Sequence, residues 1–153
     1  MKYYKWREMN KILLKEVSME DIDFLHQLRI EYVNYVNSIN GKEESPNFVK
    51  HRDFVKKFIN NNKEHTYQKW YIILFNGIKV GSIPLKKDNE FGYQIKKEFQ
   101  GKQICQTGIE LFFKNHNRNK LWAKTLDENI RSSYLLKKWG FKKNKDRYVF
   151  KNI

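Results

Sequence analysis

Residues 70–85 do most to limit what this chain can fold into. WYIILF (Trp70 to Phe75) and IKVGSIPL (Ile78 to Leu85) are apolar runs rich in β-branched and aromatic residues, separated by Asn76-Gly77. Asn-Gly between two such runs is the strongest short-range hairpin signal, so an antiparallel strand pair sits near the middle of the chain. Gly81 within the second run predicts a bulge. Pro84, which has no N–H to give to a ladder, predicts the end of the strand or an edge position.

The flanking segments extend this pair in a fixed order. Ile12 to Val17 (ILLKEV) reads as a strand, followed by Ser18 as an N-cap with Asp21 three residues on, in a capping-box-like position. Ile22, Phe24, Leu25 and Leu28 give the stripe of a first helix. A polar stretch over 40–46 leads to a second helix, with Phe48, His51, Val55 and Phe58 on one face and Asn60-Asn61-Asn62 at its end. After the hairpin, Phe91, Tyr93 and Ile95 alternate with polar residues over Glu90–Ile95. A third helix carries Ile104, Gly108, Leu111 and Phe112. Leu121 to Leu126 is a strand, Asn129 to Trp139 a fourth helix stopped by Gly140 at C′, and Phe141 onward with Arg147 to Phe150 a last hairpin. The order β-α-α-β-β-β-α-β-α-β-β implies an α/β (α+β) fold. It would have a mixed, mostly antiparallel central sheet of six or seven strands and helices on both faces.

Composition narrows the class. At 153 residues the chain suits one domain, with residues 1–10 as an N-terminal extension. With 40% hydrophobic and 16% aromatic residues it can bury a core. It has no apolar run long enough to span a membrane and no signal-peptide pattern, and Cys105 is its only cysteine. These features predict a cytoplasmic protein with no membrane association, no disulfide and no cysteine-rich metal site. The net charge of +14 has a plain reading: lysine is heavily used, as an AT-rich genome would give. The basic pairs at 56–57, 86–87, 96–97, 137–138 and 142–143 are scattered, which argues against specific nucleic-acid binding. A positive field still favours a polyanionic ligand.

The segment EFGYQIKKEFQGKQICQTG (residues 90–108) runs from a strand through a Gly- and Gln-containing loop into a helix, with no acid after Glu98. A helix opening there leaves unpaired amide hydrogens and a partial positive charge, which together receive phosphate. Gly101 permits a tight turn and Lys102 adds a cation. An ordinary strand-to-helix turn would fit the same spacing.

This segment resembles the acetyl-CoA-binding element of the GCN5-related N-acetyltransferase (GNAT) superfamily, Q/R-x-x-G-x-G/A. Its counterpart here is Gln100-Gly101-Lys102-Gln103-Ile104-Cys105, with Gln103 at the first motif glycine and Cys105 at the last small residue. Lys79-Val80-Gly81-Ser82-Ile83 resembles the family's third strand, and Asn129 through Gly140-Phe141 its N-x-x-S/A…G-F element. The ribosomal-protein and nucleotide-amino-sugar branches are the nearest in pattern, through E-F-G-Y-Q-I. The resemblance implies acetyl-CoA as cofactor. Residues 100–105 would hold its diphosphate, Tyr93, Gln94 and Ile95 would offer backbone groups to its pantetheine arm, and Asn129 and Ser132 would lie beside that arm. Cys105 reads either as a small buried hydrophobe or as a reactive thiol.

In many family members a tyrosine four residues before Gly-Phe protonates the departing thiolate. That position is Leu136 here, and Tyr134 falls on another helix face. Ser132 and Ser133 lie closer to the Leu136 direction, and either could hold a water that serves as proton source. The acceptor amine must lose a proton, and two residues qualify as base: His51 on helix two and Glu90 at the strand start. The expected function is direct acetyl transfer to a primary amine in a ternary complex. The resemblance favours a small amino-sugar, free or nucleotide-linked, as acceptor, and the protein would be a monomer or homodimer. A ribosomal-protein or N-terminal acetyltransferase, or a GNAT-like module that has lost catalysis, are the alternatives.

Overall fold

The computed structural model describes residues 11–61 and 63–150. The proposed extension over residues 1–10 lies outside them. The element order is the one the sequence predicts: β1 (Ile12–Glu16), α1 (Ile22–Ile39), α2 (Phe48–Ile59), β2 (Tyr67–Phe75), β3 (Ile78–Lys86), β4 (Gln94–Ile95), α3 (Ile104–Asn115), β5 (Trp122–Ala123), α4 (Ile130–Lys138), β6 (Phe141–Asn144) and β7 (Arg147–Phe150). Short 3₁₀ turns precede α1, α3 and β5. Among the described residues no helix is long and apolar enough to cross a membrane.

Among the described residues, seven strands form two antiparallel sheets, β1-β2-β3-β4 and β5-β7-β6. They are seamed at one point. Glu90 and Trp122 form a parallel bridge, with Phe91 N donating to Trp122 O at 3.0 Å and Trp122 N to Asn89 O at 3.2 Å. The Trp122 indole adds a bond from Nε1 to Asp88 O at 2.9 Å, and the Arg147 guanidinium lies 3.8 Å from its ring centre. Beyond this seam β4 pairs only with β3, and β5 only with β7, so the two halves part.

Alternation along β2 sends Trp70 and Ile72 to one face and Tyr71 and Ile73 to the other. Two apolar clusters result. Trp70 and Ile72 pack with Ile22, Leu25 and Leu28 of α1 and Val55 of α2. Ile73 packs with Ile104, Ile109 and Phe112 of α3 and Leu135 and Leu136 of α4. Helices thus cover both faces, as expected. Gly108 allows the close approach of α3: a Cβ there would stand 3.2 Å from Ile73 Cδ1.

The strand details refine the sequence reading. The bulge falls beside Gly81, where Ile73 pairs with Gly81 but Leu74 pairs with Lys79, leaving Val80 over. Pro84 does not end β3. It pairs with Trp70, and its carbonyl accepts from Gly92 N at 3.0 Å. β4 and β5 are shorter than the apolar runs suggest, because both lose ladder partners once the halves separate.

The Ser18–Asp21 pattern forms more than a cap. Asp21 is fully buried; its carboxylate accepts from Ser18 N at 2.8 Å and pairs with Lys15 and, at 2.8 Å, Lys79. Burial pushes this carboxyl up, but the lysine bonds outweigh it and hold it below its ordinary range.

Candidate active site

The parting of β4 from β5 creates a cleft, and α3 opens at one end of it. Gln100 closes the strand end by donating from Nε2 to Ile95 O at 3.2 Å. Gly101 (φ +79°) and Gln103 (φ +62°) both lie in the left-handed region. Gly101 does so freely, whereas Gln103 is a residue that rarely adopts it. This conformation turns the chain sharply into α3. The first helical bond runs from Thr107 N to Gln103 O at 3.1 Å, so the amides of Ile104, Cys105 and Gln106 precede the ladder. No side chain caps them, and no acid lies in the first turn.

Three cations flank this turn: Lys102, whose ammonium sits 5.9 Å from the Phe99 ring centre, Arg131, and Lys138. Arg131 Nη1 lies 3.7 Å from where a Gly101 Cβ would stand. These features fit the diphosphate of coenzyme A: a glycine cradle, bared amides and cations from two elements. The sequence reading missed Arg131, which reaches the loop from the first turn of α4. Cys105 is part of the core packing, and burial pushes its thiol up to about 12, so it is a neutral small side chain rather than a nucleophile.

Asn129 caps α4, accepting from Ser132 N at 3.1 Å. Ser132 Oγ lies 2.6 Å from the Tyr93 hydroxyl, across the cleft. Burial raises the Tyr93 phenol well above its ordinary range, against a smaller opposing effect of the Ser132 bond. Leu136 is fully buried in the main core.

On the other face a cavity of about 420 Å³ opens between α1, α2 and the sheet. Leu25, Leu28, Arg29 and Tyr32 come from α1, and His51 and Phe54 from α2. Trp70, Ser82, Tyr93 and Gln94 are among its sheet residues, and none of its lining residues is acidic. His51 therefore lies where the helix-two stripe predicts, facing the cavity. Its ring sits 5.8 Å from that of His26, and both Nδ1 atoms are buried without a partner. Burial, then the nearby His26 and Arg29, lower His51 to about 4. His26 and Arg29 escaped the sequence reading because they fall beside the α1 stripe with no local pattern of their own.

Glu90 lies elsewhere. Its carboxylate pairs with Lys86 at 3.0 Å at the sheet seam and does not line the cavity. Gln94 lines the cavity and donates from Nε2 to Leu28 O, tying β4 to α1. Ile95 is buried in the core. His65 and His116 are tied to structural partners, Phe54 O and the Tyr71 hydroxyl.

Comparison with known proteins agrees with this geometry. The model of the acetyltransferase (GNAT) domain family matches residues 11–142. None of the curated proteins compared with the chain matches it. A domain from Methanocaldococcus jannaschii superposes with a TM-score of 0.70 at 25% identity, covering 92% of this chain and 97% of that one. RimL, a ribosomal-protein alpha-N-acetyltransferase solved with coenzyme A, gives 0.68 at 16% identity, with 90% and 89% covered. A spermidine N-acetyltransferase chimera, SpeG from Vibrio cholerae with hSSAT, gives 0.68 at 19% identity, with 87% and 81% covered. The last two likenesses concern the fold. With a family model spanning most of its length and a cofactor turn that fits, this chain belongs to the GNAT acetyltransferase family and is an N-acetyltransferase that uses acetyl-CoA.

Proposed function

We propose that the protein acetylates the primary amine of a small, anionic amino-sugar, such as a nucleotide-linked one, by direct attack in a ternary complex. The observation that carries the acceptor class is the acid-free cavity with Arg29 and His51 on its wall. A polycation such as spermidine needs carboxylates to replace its lost hydration; this wall offers none, and Glu43 and Glu44 line only the neighbouring pocket that shares Arg29 and His51. An anionic group gains from Arg29, whose guanidinium has no acidic partner among the described residues, and the aromatic walls suit a sugar or base face. The likeness to RimL supports a second acceptor reading, the N-terminal amine of a protein.

When bound, acetyl-CoA supplies an acetyl group activated as a thioester. Residues 100–106 with Lys102 and Arg131 hold its diphosphate. His51 is neutral at working pH, so its free ring nitrogen can accept from a water that takes the amine's proton; lowered to about 4, the ring is too weak a base to hold that proton itself. Such base assistance is worth roughly 10²–10⁴-fold. Glu90 is engaged with Lys86 at the seam, outside the cavity lining, and takes no proton in this reading.

The test is an acceptor screen over nucleotide amino-sugars, peptides and polyamines that follows CoA release. Turnover confined to spermidine would overturn the acceptor class. With an active acceptor, His51→Ala lowers kcat/KM by about a hundredfold, while Glu90→Gln stays near wild type. The reverse ranking would move the base to Glu90.

A further inference from the structure

The cavity and the cleft are separate spaces, yet one side chain borders both. Tyr93 lines the cavity, and its hydroxyl meets Ser132 on α4, the helix carried by the β5 half of the sheet. Its ring is wedged edge-on against Trp139, with centroids 5.7 Å apart, and lies beside Phe91 at 6.4 Å. An amine in the cavity and a thioester in the cleft can meet only where the two spaces touch. In the transfer the amine nitrogen bonds to the acetyl carbon, the carbon–sulfur bond breaks, and its electron pair goes to sulfur. The nitrogen's surplus proton leaves to a water that His51 accepts from. Charge therefore collects on sulfur at this junction, and a buried anion there needs a donor.

We propose that the Tyr93 hydroxyl is the hydrogen-bond donor that stabilises the departing CoA thiolate, with Ser132 holding the phenol in place. The inference rests on the acetyl-transfer reading. It answers the absence of a donor at position 136, where the helix offers only the buried Leu136. Tyr93 enters from a different element and does not need to give up its proton. Because the phenol is raised while a thiol ordinarily titrates near 8.5, the proton stays on oxygen and the thiolate leaves as a hydrogen-bonded anion. Tyr93 thereby touches the reacting atoms, whereas Ser132 acts through it. Ring packing fixes the phenol oxygen, and when Ser132 Oγ donates to it the phenol's own hydrogen is left to turn toward the cleft.

The experiment uses the whole chain with CoA itself and needs no acceptor. The thiol of bound CoA is titrated by the ultraviolet absorbance of its thiolate in wild type, Tyr93→Phe and Ser132→Ala. Tyr93→Phe keeps the ring packing, and Ser132→Ala removes only the partner. In wild type the bound thiol should ionise at least about one pH unit below its value in Tyr93→Phe, with Ser132→Ala between them. With acetyl-CoA and an active amine, Tyr93→Phe should lower kcat roughly ten- to a hundredfold and leave KM for acetyl-CoA nearly unchanged. Equal thiol titration in wild type and either variant overturns the assignment, even where CoA raises the melting temperature of all three. No rise of melting temperature with CoA in wild type overturns the acetyl-transfer reading as well.

Discussion

The protonation of His51 gives the sharpest check on the cavity. In the unfolded chain its imidazole titrates near 6.5; in the fold, burial and then His26 and Arg29 lower it to about 4. Between those values the unfolded chain binds more protons, so acid favours unfolding. The His51 contribution to stability is complete above pH 6.5 and is lost as pH falls toward 4. From pH 8 to pH 5 the linkage amounts to about 2 kcal/mol unscreened. For a ring this accessible to water roughly half survives, about 1 kcal/mol. In a chain of this size that moves the melting temperature by about 2–4 °C. His65 and His116 are also lowered by burial and act in the same direction, so the measurement is a difference. Melting curves of wild type and His51→Gln at pH 8 and pH 5 should show the variant losing that much less. An NMR titration of the His51 ring should place its midpoint near 4. Arg29→Met should raise the midpoint while leaving it below 6.5, because burial is the larger cause. A midpoint at or above 6.5 in wild type would mean that the ring faces water or a carboxylate, and the acid-free cavity would be refuted.

Other changes have definite signs. Gln103→Gly should relieve about 1–2 kcal/mol of left-handed strain, partly offset by glycine's freedom in the unfolded chain. The melting temperature should rise by about 1–3 °C, whereas Gln103→Ala brings no rise; calorimetry of the three proteins decides. Gly101→Val should cost about 1–2 kcal/mol at its φ of +79° and sharply reduce the thermal shift that CoA gives. Asp21→Asn breaks a buried pair and should cost about 3 kcal/mol in urea unfolding. The wild-type carboxylate contribution is full above pH 3.8 and vanishes only as pH falls through the lower folded value. Arg29→Met should raise KM for an anionic acceptor about tenfold or more and leave KM for acetyl-CoA unchanged.

The fold was legible because each element carries its own period. The Asn76-Gly77 hairpin, the α1 stripe at Ile22, Leu25 and Leu28, and the Asn129 cap are local signals that the structure reproduces. The turn into α3 was legible for the same reason: Gly101, the absence of acid and the following helix lie within a few residues. The cavity was legible only in part: the helix-two stripe marks His51, but the wall is assembled from residues far apart. Arg29, His51 and Tyr93 are brought to one cavity by the stacking of α1 and α2 on the sheet, and nothing near His26 or Arg29 marks them. Glu90 shows the converse failing. A carboxylate at a strand start looks available as a base, but its partner Lys86 and its place at the seam depend on the β3–β4 turn.

The seam at Trp122 has a mechanical consequence. A ladder of many rungs would set the gape between the two halves rigidly, whereas a single rung acts as a pivot. The opening between the two halves is thus set at its seam by one indole, its bond to Asp88 and the guanidinium stacked upon it. A substitution at Arg147, which stacks on that indole from β7, would change how widely the halves stand apart.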